Sequence, residues 1–149
     1  MKPDTSDKNE LIIDAAIRRF SYFGVGKTTL TEIADDVALT KQALAHYFAD
    51  KQSLIIAVIN QIISRYLAEI SVQFQSAATV EEGLLQLTEI KKSYFERYFM
   101  LYLQNRNVDL KIDGIELLKI REQSQQKEIE LISALLDRGM QNGEIRSVN

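Results

Sequence analysis

The segment from Thr40 to Tyr47 carries side chains suited to reading nucleic-acid bases. Lysine and glutamine can recognise base edges in the major groove, lysine best at guanine and glutamine best at adenine. If the segment is a short helix anchored by Leu44, its outer face presents Lys41, Gln42, Ala43, His46 and Tyr47. We therefore predict that this face contacts double-stranded nucleic acid.

Threonines and lysines near this segment suit the phosphate backbone. Thr28, Thr29 and Thr40 lie where helices are predicted to begin, so hydroxyls, free N–H groups and the helix dipole favour a phosphate there. Lys27 and Lys51 flank the segment and can neutralise phosphates. The predicted contacts thus divide into those that position the protein and those that read sequence.

Apolar residues at helical spacing predict the elements that hold these side chains. A first helix is capped by Asp7 and ends at Gly24, and short helices follow over 30–37 and 40–47. Longer helices start at Asp50, Thr79 and Asp113, with breaks at 76–79 and 105–107. Two short helices joined by a three-residue turn form the helix-turn-helix plan.

Composition excludes several other classes of site. The chain has 149 residues, no Cys and one His, so thiolate and multi-histidine metal sites are excluded. No clustered acid, base or nucleophile is visible, so we expect neither an enzyme nor a cofactor. The net charge of −3 gives no general affinity for nucleic acid. No uninterrupted apolar run reaches membrane-spanning length and no signal peptide is visible, so we expect a cytoplasmic protein without a membrane partner.

Five short stretches resemble the N-terminal DNA-binding region of the TetR/AcrR family of transcriptional regulators. They are Ile12-Ile-Asp-Ala-Ala, Phe20-Ser-Tyr-Phe-Gly, Thr28-Thr-Leu-Thr-Glu-Ile-Ala, Leu44-Ala-His-Tyr-Phe and Lys51, within residues 11–55. The resemblance implies an all-α fold with a three-helix DNA-binding head over 1–50 and a helical effector domain over 51–149. It also implies that the family's final dimerisation helices are missing from this chain.

The same resemblance implies a function. A homodimer would bind a palindromic operator in the nucleoid through the helix at 40–47, and a small-molecule effector would release it, as in a repressor. Family DNA-contact positions fall at or near Thr29, Thr31, Thr40, Lys41, Gln42, His46, Tyr47 and Lys51. Three features depart from the family pattern: Ala38 replaces the turn glycine, Ala45 replaces an aromatic residue, and Asp35 and Asp36 add negative charge.

An aromatic stripe in the predicted fifth helix has two interpretations. Tyr94, Tyr98 and Tyr102 recur at helical spacing, either as a packed core seam or as one wall of an effector pocket. The candidate pocket residues are Tyr66, Phe74, Tyr94, Tyr98, Phe99 and Tyr102. With few ionic groups nearby, a neutral or cationic lipophilic ligand is favoured over a highly charged one.

A second function stays open from the sequence. Acidic residues slightly outnumber Lys and Arg over residues 1–51, which opposes phosphate binding. The alternative is therefore a helical ligand-binding or interaction protein that no longer binds DNA.

Overall fold

The computed structural model describes residues 5–104 and 114–146, and every regular element in these ranges is a helix. The helices are α1 (Thr5–Phe23), α2 (Leu30–Asp36), α3 (Lys41–Ala45), α4 (Lys51–Ser76), α5 (Val80–Gln104) and α6 (Gly114–Gln141). The all-α prediction, with two short helices near the N-terminus, is therefore confirmed.

The predicted helices differ from the observed ones mainly at their ends. α1 begins at Thr5, so Asp7 lies in the first turn rather than at the cap, where its carboxylate still favours the helix dipole. Val37 and His46 are C-caps, so α2 and α3 are shorter than predicted. The predicted break at 105–107 and the predicted cap Asp113 lie outside the described residues.

The described residues form two compact units. The first unit comprises residues 5–62 and 97–104, and the second unit comprises residues 63–96 and 114–146. α4 and α5 each contribute residues to both units. The predicted functional boundary between residues 50 and 51 stays a prediction, because these units reflect packing rather than function.

The core of the first unit is built from the apolar faces of α1 to α4. Phe20 is fully buried, as are Ile12, Ile33, Leu44 and Leu54. α1 supplies its buried residues at helical spacing, which is why its amphipathic pattern predicted the element. The short helices α2 and α3 are held in place because each contributes a fully buried side chain to this core.

The core of the second unit depends on close approach between α5 and α6. Its buried residues are Ile70, Phe74, Val80, Leu87, Ile90 and Leu135. Gly139 lies so close to Val80 that a β-carbon there would overlap the Cγ2 methyl. A β-carbon at Gly83 would lie 2.8 Å from Leu135 Cδ2. Glycine at both positions therefore sets the separation of the two helices.

The end of α6 is bonded to the start of α5. Gly143 has a φ of +75°, and the Glu144 N–H donates to the Gly139 carbonyl, as in a Schellman cap. The Glu144 carboxylate accepts from the Val80 N–H at 2.7 Å, and Arg138 donates to the Ala77 carbonyl at 2.9 Å. These bonds satisfy backbone groups on both sides of the break between α4 and α5.

Candidate functional site

The outer face of α3 presents the predicted base-reading side chains. Leu44 is fully buried and anchors the helix, while Lys41, Gln42 and His46 are exposed. The Thr40 hydroxyl caps α3 by accepting from the Ala43 N–H at 3.0 Å. Ala43 and Tyr47 are half-buried and border this exposed face. The arrangement leaves a lysine and an amide free to reach base edges.

In the turn between α2 and α3, Ala38 has the left-handed backbone conformation that glycine usually adopts. Its φ is +54°, a conformation that destabilises a non-glycine residue by about 1 kcal/mol. The following Leu39 N–H donates to the Ala34 carbonyl at 2.9 Å. The family turn is therefore kept despite the substitution, and it fixes the direction in which α3 leaves α2.

The N-terminus of α2 is already satisfied internally. The Thr29 hydroxyl accepts from the Glu32 N–H, and the Glu32 carboxylate accepts from the Thr29 N–H at 2.8 Å and from its hydroxyl at 2.9 Å. These bonds lower the pKa of the Glu32 carboxyl group. Lys27 and Thr31 remain exposed beside this cap. The capping carboxylate competes with a phosphate for the same N–H groups.

Thr28 and Lys51 do not present free groups at this surface. Thr28 is 2% exposed and its hydroxyl donates to the Gly24 carbonyl at 2.9 Å. The Lys51 ammonium donates to the Val25 carbonyl, and burial lowers the pKa of Lys51. The structure thus gives both residues a role in holding the loop between α1 and α2, and the predicted phosphate contacts stay untested.

One of the two aspartates that oppose DNA binding is neutralised by a neighbour. Asp36 accepts from Arg19 through both oxygens, at 2.7 and 2.8 Å, and this pairing lowers the pKa of Asp36. Arg19 also lies 3.5 Å from Glu32, so it joins α1 to both ends of α2. Asp35 is exposed. The fork-like geometry orients α2 while removing part of its repulsion from phosphates.

The described candidate pocket residues are distributed over both compact units. In the second unit, Phe74 is buried, and the half-buried rings of Tyr66 and Tyr94 meet edge to face with centroids 5.2 Å apart. Tyr98 and Phe99 belong to the part of α5 in the first unit. Tyr98 has non-helical backbone angles, with φ −111° and ψ 17°. The side chain of Tyr102 lies outside the described residues.

Two charged residues that sequence reasoning missed lie at the edge of the second core. The Tyr66 hydroxyl donates to Glu128 Oε2 at 2.9 Å, and Lys91 Nζ lies 2.5 Å from Glu128 Oε1. Burial, together with this carboxylate, raises the pKa of Tyr66. Glu128 follows the charged stretch 121–127, which forms continuous helix with mostly exposed side chains. Its role was missed because its partners lie far away in sequence.

Two general features of the described residues bear on function: which side chains could hold a metal ion, and which helices could span a membrane. Within the residues that the structure describes, no group of three His, Cys, Asp or Glu side chains could hold a metal ion. α4 has the length and a mean hydropathy of 1.4 over 18 residues that a membrane span requires. Its Leu54, Val58 and Ile70 are fully buried, whereas most of that window is not.

Comparison with known proteins identifies the first four helices. Residues 12–58 match the family model described as bacterial regulatory proteins, tetR family. The transcriptional regulator RutR of Escherichia coli is 34% identical over 92 residues, which are 60% of this chain and 43% of RutR. The chain thus spans less than half the length of this relative. RutR is named as a regulator rather than an enzyme, in agreement with the prediction.

Solved structures extend the likeness beyond the helix-turn-helix. A transcriptional regulator from Cytophaga hutchinsonii aligns with a TM-score of 0.84 and 29% identity over 95% of this chain and 72% of its own. FadR from Bacillus subtilis, solved with stearoyl-CoA, has a TM-score of 0.68 and 19% identity, covering 94% of this chain and 75% of FadR, and shows the fold alone. Residues 12–58 therefore match the DNA-binding region of the tetR family, as the sequence motifs predicted, and the described residues share the fold of a transcriptional regulator.

Proposed function

We propose that this chain is a DNA-binding transcriptional regulator that reads an operator with α3. The observation that carries the proposal is the exposed face of Lys41, Gln42 and His46 on a helix anchored by buried Leu44. Lys41 and Gln42 discriminate bases in the major groove. Thr40, Ala43 and Tyr47 border that face, and Lys27, Thr29 and Thr31 are proposed phosphate contacts. Lys51 would join them only if its ammonium left the Val25 carbonyl. Thr28 is left out because it is buried.

The second unit is proposed to bind a small-molecule effector that releases DNA, so that the protein acts as a repressor. Its apolar core includes Phe74, and Tyr66 and Tyr94 pack against it beside polar groups, a combination that ligand sites use for shape and orientation. FadR, which shares the fold, was solved with stearoyl-CoA. The proposed pocket keeps Tyr66, Phe74 and Tyr94 as candidates, and Tyr98, Phe99 and Tyr102 remain predictions.

The proposed assembly is a homodimer that binds a palindromic site in the cytoplasm, in association with the nucleoid. Two copies of α3 would enter successive major grooves about 34 Å apart. A dimer with two-fold symmetry binds a palindromic sequence, because each protomer makes the same contacts with its own half-site. The support is the match of residues 12–58 to the tetR family together with the isolated, outward-facing recognition helix.

The alternative is a helical protein that no longer binds DNA, and the exposed Asp35 favours it. The bidentate pairing of Asp36 with Arg19 weakens this alternative, because it removes one of the two repulsive charges. The two functions differ in whether any DNA sequence is preferred over bulk DNA.

Selection of bound duplexes from a random pool tests the proposal. We expect enrichment of a palindrome whose half-sites are separated by about one helical turn. The matched control is the Lys41→Ala/Gln42→Ala variant, which keeps Leu44 and the Thr40 cap. Failure of the parent to enrich any sequence would favour the alternative function. Enrichment of the same palindrome by parent and variant would contradict the role of α3.

A further inference from the structure

Glu128 is a carboxylate held between a phenol and an ammonium ion at the edge of the second core. Its Oε2 accepts from the Tyr66 hydroxyl, and its Oε1 pairs with Lys91 Nζ at 2.5 Å. The Tyr66 ring in turn packs against the Tyr94 ring. Three helices thus contribute to this cluster: Tyr66 comes from α4, Lys91 and Tyr94 come from α5, and Glu128 comes from α6.

The two partners of Glu128 differ in how readily they can leave. The Lys91 side chain is 51% exposed and the Glu128 side chain is 20% exposed. The Lys91 ammonium can therefore return to water by rotation of its flexible stem, while the carboxylate stays at the core edge. Tyr66 also stays, because its ring is half-buried against the core cluster. Departure of Lys91 would leave a partly buried carboxylate bonded to the Tyr66 hydroxyl, and the Tyr66 ring packs against the Tyr94 ring.

Such a group of side chains selects a particular ligand chemistry. A carboxylate accepts a charge-assisted hydrogen bond from an ammonium group, and aromatic faces attract organic cations. Carboxylates also outnumber Lys and Arg among the described residues of the second unit, which disfavours polyanions. Lys91 itself already supplies an alkylammonium group to this carboxylate.

We propose that Glu128, Tyr66 and Tyr94 form a binding site for an organic ammonium ion, and that Lys91 occupies this site in the ligand-free protein. A protonated amine with a short apolar chain would displace the Lys91 ammonium and pair with Glu128. Its role as the effector rests on the proposed function, but its binding does not. Competition from Lys91 multiplies the intrinsic affinity for the ligand by the fraction of time that the site is free of Lys91.

Binding of n-propylammonium chloride tests the site, because this ion matches the lysine atoms beyond Cβ. We would measure its affinity by thermal shift and calorimetry for the parent, Lys91→Ala and Lys92→Ala. Lys92 is the adjacent exposed lysine and serves as the matched control. We expect Lys91→Ala to bind roughly tenfold more tightly than the parent and Lys92→Ala. Equal affinity in all three proteins would overturn the proposal.

Two further controls separate charge recognition from a simple apolar gap. n-Propanol should bind Lys91→Ala at least roughly tenfold more weakly than n-propylammonium, because a hydrogen bond from a charged ammonium group to the carboxylate is stronger than one from a hydroxyl. The Lys91→Ala/Glu128→Gln variant should lose that preference for the ammonium ion. If this variant does not fold, Lys91→Ala/Tyr66→Phe is measured instead and should lose part of the preference. Equal binding of the alcohol and the ammonium ion by Lys91→Ala would show only a gap and overturn the proposal.

The test is independent of DNA binding, so failure here and failure of the proposed function are distinguishable. Operator selection without ammonium binding would retain the regulator and reject this ligand class. Ammonium binding without operator selection would retain the site and reject its role in regulation. Stearoyl-CoA serves as the polyanionic probe. Tighter binding of stearoyl-CoA than of n-propylammonium by the parent, in a way that depends on Glu128, would contradict the predicted charge selectivity.

Discussion

The helix-turn-helix in the first unit and the α5–α6 pair in the second unit are stabilised in different ways. α2 and α3 have seven and five residues, too few to be stable alone. Side-chain caps, the Arg19–Asp36 pair and the fully buried Ile33 and Leu44 hold them. α5 and α6 are long, and close packing at Gly83 and Gly139 joins them. Short elements thus depend on specific bonds, and long elements depend on the shape of their contact.

The largest predicted effect concerns the leucine that anchors α3. Leu44→Ala removes a fully buried side chain, so we expect a loss of about 2–5 kcal/mol in the free energy of unfolding. Operator binding should fall with it, because α3 has no other fully buried residue. Chemical denaturation measures the loss, with Gln42→Ala as the exposed control. Equal stability of the two variants would mean that α3 is not held by this contact.

The corresponding test in the second unit is Gly139→Ala. The added methyl would overlap Val80, so we expect destabilisation by about 1–3 kcal/mol. Gly114→Ala is the control, because no atom lies within 4 Å of a β-carbon there. Hydrogen exchange should show lost protection first in α5 and α6. A tolerated Gly139→Ala would show that close packing is less important here than the hydrogen bonds at the end of α6.

Base reading can be separated from stability on the outer face of α3. Lys41→Ala and Gln42→Ala should each weaken specific binding by about 1–3 kcal/mol and relax preference at one base position. Their denaturation curves should match the parent, because both side chains are exposed. Gel-shift titration against the selected site measures the effect. Parental affinity in both variants would place the recognition surface elsewhere.

The smallest predicted effect is the acid sensitivity of the Arg19–Asp36 pair. Pairing lowers the folded-state pKa of Asp36 below its ordinary value of 3.8. Its stabilisation is therefore present above that value and is lost as the pH falls through the lower folded pKa. The difference in stability between the parent and Asp36→Asn should shrink over this acid range. A pH-independent difference would show that shape, rather than charge, carries the contribution.

The sequence predicted the helix-turn-helix better than the packing around Tyr66 for a physical reason. Thr29 with Glu32, Thr40 and Asp50 are local capping signals, so their partners lie within three residues. Tyr66 and Glu128 are 62 positions apart, and no local periodicity pairs them. The sequence left the aromatic stripe open as a core seam or a pocket wall, and its Tyr94 and Tyr98 lie in different compact units.

Burial also determines whether a polar side chain bonds inside the protein or faces solvent, which the sequence left open. Thr28 has the residue type of a phosphate contact, yet its hydroxyl is used inside the protein. The polar stretch 121–127 before Glu128 has mostly exposed side chains, whereas Glu128 itself turns to the core edge. Residue type alone cannot distinguish these cases, because the same hydroxyl or carboxylate can bond inward or outward.

The bond from Lys51 to the Val25 carbonyl has a consequence for how binding responds to ionic strength. Each lysine that newly meets a phosphate releases condensed counterions, and each such contact steepens the logarithmic salt dependence of affinity by about 0.9. A lysine that keeps its bond to Val25 releases none. If Lys51 keeps that bond in the complex, operator affinity falls less steeply with added salt than the count of nearby lysines indicates.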